Sequence, residues 1–109
     1  METGHLDRRV QFLRAAMIDD GYQTRPGPYE PYGAPVWAAR RFVRDAERYA
    51  ANTVGVDAVV RFTVRYSAFT DSLTHSDRLI CEGQVYGIVG MKEIGRRRWI
   101  EITASGISE

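Results

Sequence analysis

Three groups of side chains in this sequence are of types that do chemistry. The first is the run Asp71-Ser72-Leu73-Thr74-His75-Ser76-Asp77, where an imidazole beside two carboxylates suggests a metal or general-base site. Such a site also needs a positioned nucleophile or a shaped pocket, and Asp and Ser in this arrangement are ordinary turn formers. The second is Cys81, the only cysteine. A thiol nucleophile needs a depressed pKa and a His partner, whereas Cys81 follows Leu79-Ile80 in an apolar run and reads as a small core residue. The third is Arg96-Arg97-Arg98-Trp99. Basic residues beside an aromatic ring can hold phosphate and stack a base; the plainer reading is a turn with solvated arginines and Trp99 packed on the fold. His5 lies in a tail, with no metal-ligand spacing around it. No phosphate loop, dinucleotide fingerprint, nucleophile elbow or zinc pattern is present. The expectation is a protein with no catalytic residue, no metal and no cofactor.

Composition narrows the class further. The 109 residues, 44% hydrophobic and 27% charged, suit one globular domain spanning 1–109. A net charge of +1 is not that of a dedicated duplex binder. Lys92 is the only lysine among 15 basic residues. A GC-rich genome explains that bias; so does selection for interfaces, since the guanidinium makes bidentate pairs and stacks on aromatic rings. A single cysteine allows no intramolecular disulfide, which fits a reducing cytoplasm. Met1 to His5 lack the basic-then-apolar layout of a signal, and no apolar run approaches the ~20 residues of a membrane span.

The elements that must position these residues are strands. Ala58, Val60, Phe62, Val64 and Tyr66 alternate with Val59, Arg61, Thr63, Arg65 and Ser67, a period of two that marks a half-buried strand. Its polar face carries Arg61 and Arg65, and Arg40-Arg41 beside Phe42 form a similar face. With Arg40, these are the candidate subunit contacts. Further strands are expected from Leu6 to Leu13, Val36 to Val43, Arg78 to Glu82, Val85 to Ile94 and Arg96 to Ala104. Gly83-Gln84 is read as a two-residue hairpin turn, and Gly87 and Gly90 as marks of a bulge or barrel corner. About six strands with short late connections make a mainly-β, small antiparallel sandwich or barrel. Asp45 to Ala51 is the one stretch of helical composition, short enough for a single turn. Residues 1–5 and 105–109 read as flexible tails.

The segment from Asp19 to Pro35 is read as one long proline-rich loop. It holds all four prolines, three glycines and Tyr22, Tyr29 and Tyr32. Proline cannot donate to a ladder, and loops of this length are usually functional or disordered. Tyrosine is enriched at interfaces. Either the loop orders against a partner, with Tyr22, Arg25, Tyr29 and Tyr32 as contact or gating residues, or its tyrosines fold back on the domain.

The order of these pieces resembles the head–tail joining (head-closure, or stopper) proteins of long-tailed phages and phage-like gene transfer agents. Leu6-Asp7-Arg8-Arg9-Val10-Gln11-Phe12 looks like the family's opening strand, and Asp19-Asp20-Gly21-Tyr22 like its Asp/Gly turn. Val36-Trp37-Ala38 and Val64-Arg65-Tyr66 are similar to its Trp-Ala and Arg-Tyr pairs. Asp77-Arg78-Leu79-Ile80 followed by Gly83-Gln84-Val85-Tyr86-Gly87-Ile88 resembles its C-terminal hairpin. The likeness runs from about Leu6 to Ala104, departing at the Pro-Gly-Pro-Tyr stretch and at Glu47 to Val56. It implies a ring of six or twelve copies in the neck of a virion or phage-like particle, assembled in the host cytoplasm. The implied partners are a portal-side adaptor on one side and the tail terminator or tail tube on the other, with packaged DNA passing close by and no membrane. A tail-terminator ring of the same particle is the nearest alternative, and a small nucleic-acid-binding β barrel the rival from another class.

The rival makes a separate prediction. A nucleic-acid-binding barrel binds single-stranded DNA in a salt-sensitive way and loses it when Arg96, Arg97 and Arg98 are changed together. A structural ring subunit leaves such an assay, read by fluorescence anisotropy, flat at physiological salt.

Overall fold

The computed structural model describes residues 6–19, 21–43 and 59–107. Seven strands lie within them: β1 Arg8–Asp19, β2 Thr24–Pro31, β3 Val36–Phe42, β4 Val59–Arg65, β5 Arg78–Cys81, β6 Gln84–Ile94 and β7 Trp99–Gly106. One helical turn, α1 (Ala68–Asp71), follows β4. All strand pairings are antiparallel. The order β1-β3-β4-β7-β6-β5 returns to β1 through a β1–β5 pairing, so six strands form a closed cycle. A sheet closed on itself is a barrel, and closure removes the open edges that would otherwise invite association.

The alternating positions point inward. Val10 and Phe12 of β1, Ala38 of β3, Val60, Phe62 and Val64 of β4, Leu79 and Cys81 of β5, Tyr86 and Ile88 of β6, and Ile100, Ile102 and Ala104 of β7 form one core cluster. Phe62 stands edge-on to Tyr86, with centroids 5.3 Å apart. Cys81 is part of this core, and burial pushes its thiol pKa up, the opposite of what a nucleophile requires.

Several boundaries differ from the sequence reading. The Asp19–Pro35 segment is not one long loop, because Thr24–Pro31 within it form strand β2. Strand β1 accordingly runs past Leu13 to Asp19, carried on by its pairing with β2. The two-residue turn is Glu82-Gly83 rather than Gly83-Gln84, since Cys81 pairs with Gln84. Both turn residues have positive φ, 51° and 80°, the signature of the hairpin turn whose twist matches its strands. Strand β7 starts at Trp99 rather than Arg96: Ile94 pairs with Trp99, leaving Gly95–Arg98 as the turn. The bulge expected at the β6 glycines lies between Ile88 and Gly90. The helical turn expected at Asp45–Ala51 lies outside the described residues. The one observed, α1, is set by a capping box in which the Ser67 side chain accepts from the Thr70 N–H and the Thr70 side chain accepts from the Ser67 N–H.

Phe62 is central to the core, so Phe62→Ala is expected to cost about 3–5 kcal/mol, read as a lower urea midpoint with an unchanged slope. A loss below about 1 kcal/mol would place the core elsewhere.

Candidate docking surface

Val10 pairs with both Val36 and Cys81, and Leu13 with both Pro31 and Arg78. Strands β2 and β3 therefore lie in series along one edge of β1 while β5 takes the other. Pairing with β5 ends at Leu13. Beyond it, β1 continues with β2 alone, as a two-stranded arm projecting from the barrel. The arm turns at Gly21, whose φ of +92° favours glycine and whose N–H donates to Asp19 Oδ1 at 2.9 Å.

Such a ribbon is marginal in water without further packing, and here the packing is concentrated at its base. Arg14 Nε and Nη2 donate to Asp77 Oδ1 and Oδ2, each at 2.8 Å, and Nη2 also donates to the Ser72 carbonyl at 2.9 Å. The same guanidinium lies 3.8 Å from the centroid of the Tyr32 ring, which leans on Phe69 at 5.2 Å. The Tyr32 hydroxyl pairs with Ser72 Oγ at 2.8 Å. Tyr29 donates to the Ser76 carbonyl at 3.0 Å, beneath the guanidinium of Arg78 at 4.1 Å. Gly33, at φ +72°, lies so close to Phe69 that a Cβ there would run into the ring. Asp77 is 2% exposed and also accepts from the Thr74 N–H at 2.8 Å. Burial alone would raise its pKa, but the Arg14 hydrogen bond, the Thr74 N–H and the Arg14 charge together hold the carboxyl below the usual carboxylate range.

The run around His75 therefore serves as structural turn chemistry. Asp77 and Thr74 close the turn, and Asp77 is engaged by Arg14. Among the described residues no group of three or more His, Cys, Asp or Glu could hold a metal ion.

The interface candidates are divided by their positions. Tyr29 and Tyr32 fold back onto the protomer, as one of the two readings of the segment allowed. Arg25 is exposed on β2, and Tyr22 at the arm's tip is 97% exposed. Met17 and Ile18 on the same arm are 62% and 37% exposed. Arg40 donates to Glu82 at 3.0 Å, and Arg61 lies 3.8 Å from Glu101, so both tie strands of one protomer together. Arg65 is exposed, 5.7 Å from the Trp99 ring. Gly95–Arg98 forms an exposed turn.

The sequence reading did not single out Trp37 as a surface residue. It is 51% exposed, stacked under Arg9 at 4.5 Å, and lines an apolar cleft of ≈ 580 Å³ with Leu6, Val36 and Val64. The signal was available: Ala38 points inward in a strand of period two, which sends Trp37 outward.

The family model described as phage head completion protein matches residues 1–107. Among solved structures, the solution structure of protein SF1141 from Shigella flexneri 2a superposes with a TM-score of 0.72 at 21% identity, covering 100% of this chain and 99% of that one. That likeness is one of fold. No curated protein matches.

Because Asp77 has a lower pKa folded than unfolded, its contribution to stability is complete above the unfolded carboxyl value of about 4 and is lost as pH falls through the folded value. Asp77→Asn is expected to cost about 2 kcal/mol at pH 7, less than a fully buried pair because Arg14 is partly exposed. Urea titrations from pH 7 downward should show the gap to wild type closing only below about pH 4; a gap constant down to pH 2 would rule out this linkage.

Proposed function

This chain belongs to the phage head completion protein family, and we propose on that footing that it is a structural subunit of the head–tail connector, forming a ring that closes the DNA-filled head and docks the tail. The observation that carries this reading is the projecting β1–β2 arm. A stable barrel presents a thin ribbon on which Met17, Ile18 and Tyr22 stand exposed, a pattern that suits a partner surface better than bulk water. The Arg14–Asp77–Tyr32 junction fixes the arm's base, so the arm meets its partner largely pre-ordered and less entropy is lost on docking.

In this reading neighbouring barrels repeat around the DNA channel through heterologous contacts. Six or twelve copies would close the ring, with a portal-side adaptor on one face and the tail terminator or tail tube on the other. Tyr22 and Arg25 at the arm serve as contacts, Tyr29 and Tyr32 as its anchors, and Arg40 and Arg61 as ties holding the strands behind the contact faces. Arg65 is the strand-face arginine placed outward for a neighbour. A near-neutral charge suits a passage through which DNA must slide, because a strongly basic lining would retain it.

The test is cryo-electron microscopy of particles carrying Met17→Ser with Tyr22→Ala. Wild-type particles should show a ring of this chain between the portal side and the tail, and the variant should give tailless or DNA-depleted heads, with infectious titre down by about two orders of magnitude or more. A ring found at the tail's end of the joint would move the assignment to the tail terminator. A chain absent from intact wild-type particles would remove the connector role altogether.

A further inference from the structure

The arm and the apolar cleft lie at opposite ends of one strand. Strand β1 starts beside the cleft, just after Leu6 and Asp7, and ends in the arm at Asp19. Its 12 residues, at about 3.3 Å each, set the two about 40 Å apart, so a protomer cannot seat its own arm in its own cleft. The two features are nevertheless complementary. The arm offers Met17, Ile18 and Tyr22, while the cleft offers Leu6, Val36 and Trp37 in ≈ 580 Å³, within the size of pockets that bury several side chains' worth of ligand. Asp19 sets a carboxylate at the arm's turn. Arg65 lines the cleft and Arg9 covers Trp37 beside it; among the described residues the cleft's lining carboxylate is Asp7, which faces Arg8 at 4.0 Å.

The arm's edge argues for contact through side chains rather than added strands. Three of the eight residues of β2 are prolines, Pro26, Pro28 and Pro31, and proline on an edge strand blunts it against an added strand.

We infer that the occupant of the cleft is the arm of a second copy of this chain, with Tyr22 and Met17 entering against Trp37 and Val36 and the Asp19 carboxylate facing Arg9 and Arg65. The contact is heterologous: each copy gives an arm at one end of β1 and receives one at the other, so the assembly grows head to tail until its rotation closes. The inference rests on the connector reading and names the surfaces through which that ring is joined.

Cross-linking in the particle tests it. Gln23→Cys places a thiol on the arm's tip and Asp7→Cys one at the cleft's rim, while the native Cys81 is buried away from reagent. Particles carrying both changes, treated with a short bismaleimide, should give a ladder of covalent multimers ending at the ring's copy number, and each single variant should stay monomeric. If the double variant is present in the particles and gives no ladder, the arm does not reach the cleft. Dimers from a single variant would mean that arm meets arm or cleft meets cleft, which also overturns it. Failure to find the chain in the particle at all would instead defeat the connector reading, so the two failures are distinguishable.

Discussion

The double pairing of β1 is the constraint from which the rest of the architecture follows. At Val10 and again at Leu13 one strand is paired on both edges, to β3 or β2 on one side and to β5 on the other. That arrangement joins the last strand of the sheet to the first and closes the cycle. Closure satisfies the backbone donors and acceptors that an open edge would expose, and it turns alternate side chains of six strands onto a single core. Because β1 is longer than β5 can cover, its surplus length is left with β2 alone. Barrel and arm are thus two consequences of one long strand meeting partners of unequal length.

The junction between them shows how arginine is used in this chain. Arg14 spans a buried carboxylate, a carbonyl and a tyrosine ring at once, which a planar fork with a stacking face can do and a lysine ammonium cannot. Stacking of arginine on an aromatic ring recurs at Arg9 and Trp37, Arg40 and Phe42, Arg65 and Trp99, and Arg78 and Tyr29. The near-absence of lysine has a structural correlate in these pairs. The Arg14–Asp77 pair is also where the run around His75 acquires its role: it is a fixed turn against which the arm's base is clamped.

Members of the phage head completion family are structural proteins of the virion, and this chain's architecture accords with that. Among the described residues, Arg8, Arg14, Arg40 and Arg61 pair with carboxylates of the same protomer. Its largest exposed apolar groups, Met17, Tyr22, Trp37, Phe42 and Val89, stand on strands and a turn rather than converging on a reactive group. Surfaces of that kind suit an assembly subunit, whose work is to present fixed faces to neighbours.

The sequence by itself determined the class of fold and most of the core. Alternation in Val60, Phe62 and Val64 specifies a strand with those side chains in the core because strand geometry has a strict period of two, and the β-branched content of Val85–Ile94 and the glycines inside it mark a bulged strand for similar local reasons. Other features waited on tertiary structure, because they depend on which strand lies alongside which. Proline at Pro26, Pro28 and Pro31 argues against a sheet interior, but an outer strand with one pairing partner tolerates it, and only β1's excess length supplies that partner. Tyr29 and Tyr32 were indistinguishable from Tyr22 in sequence; the turn from Ser72 to Asp77, some 40 residues away, decides which tyrosines are clamped and which one stands at the tip. Local patterns are written in neighbouring residues and can be read from them, whereas closure, the arm and its anchors are set by long-range pairings that no local pattern encodes.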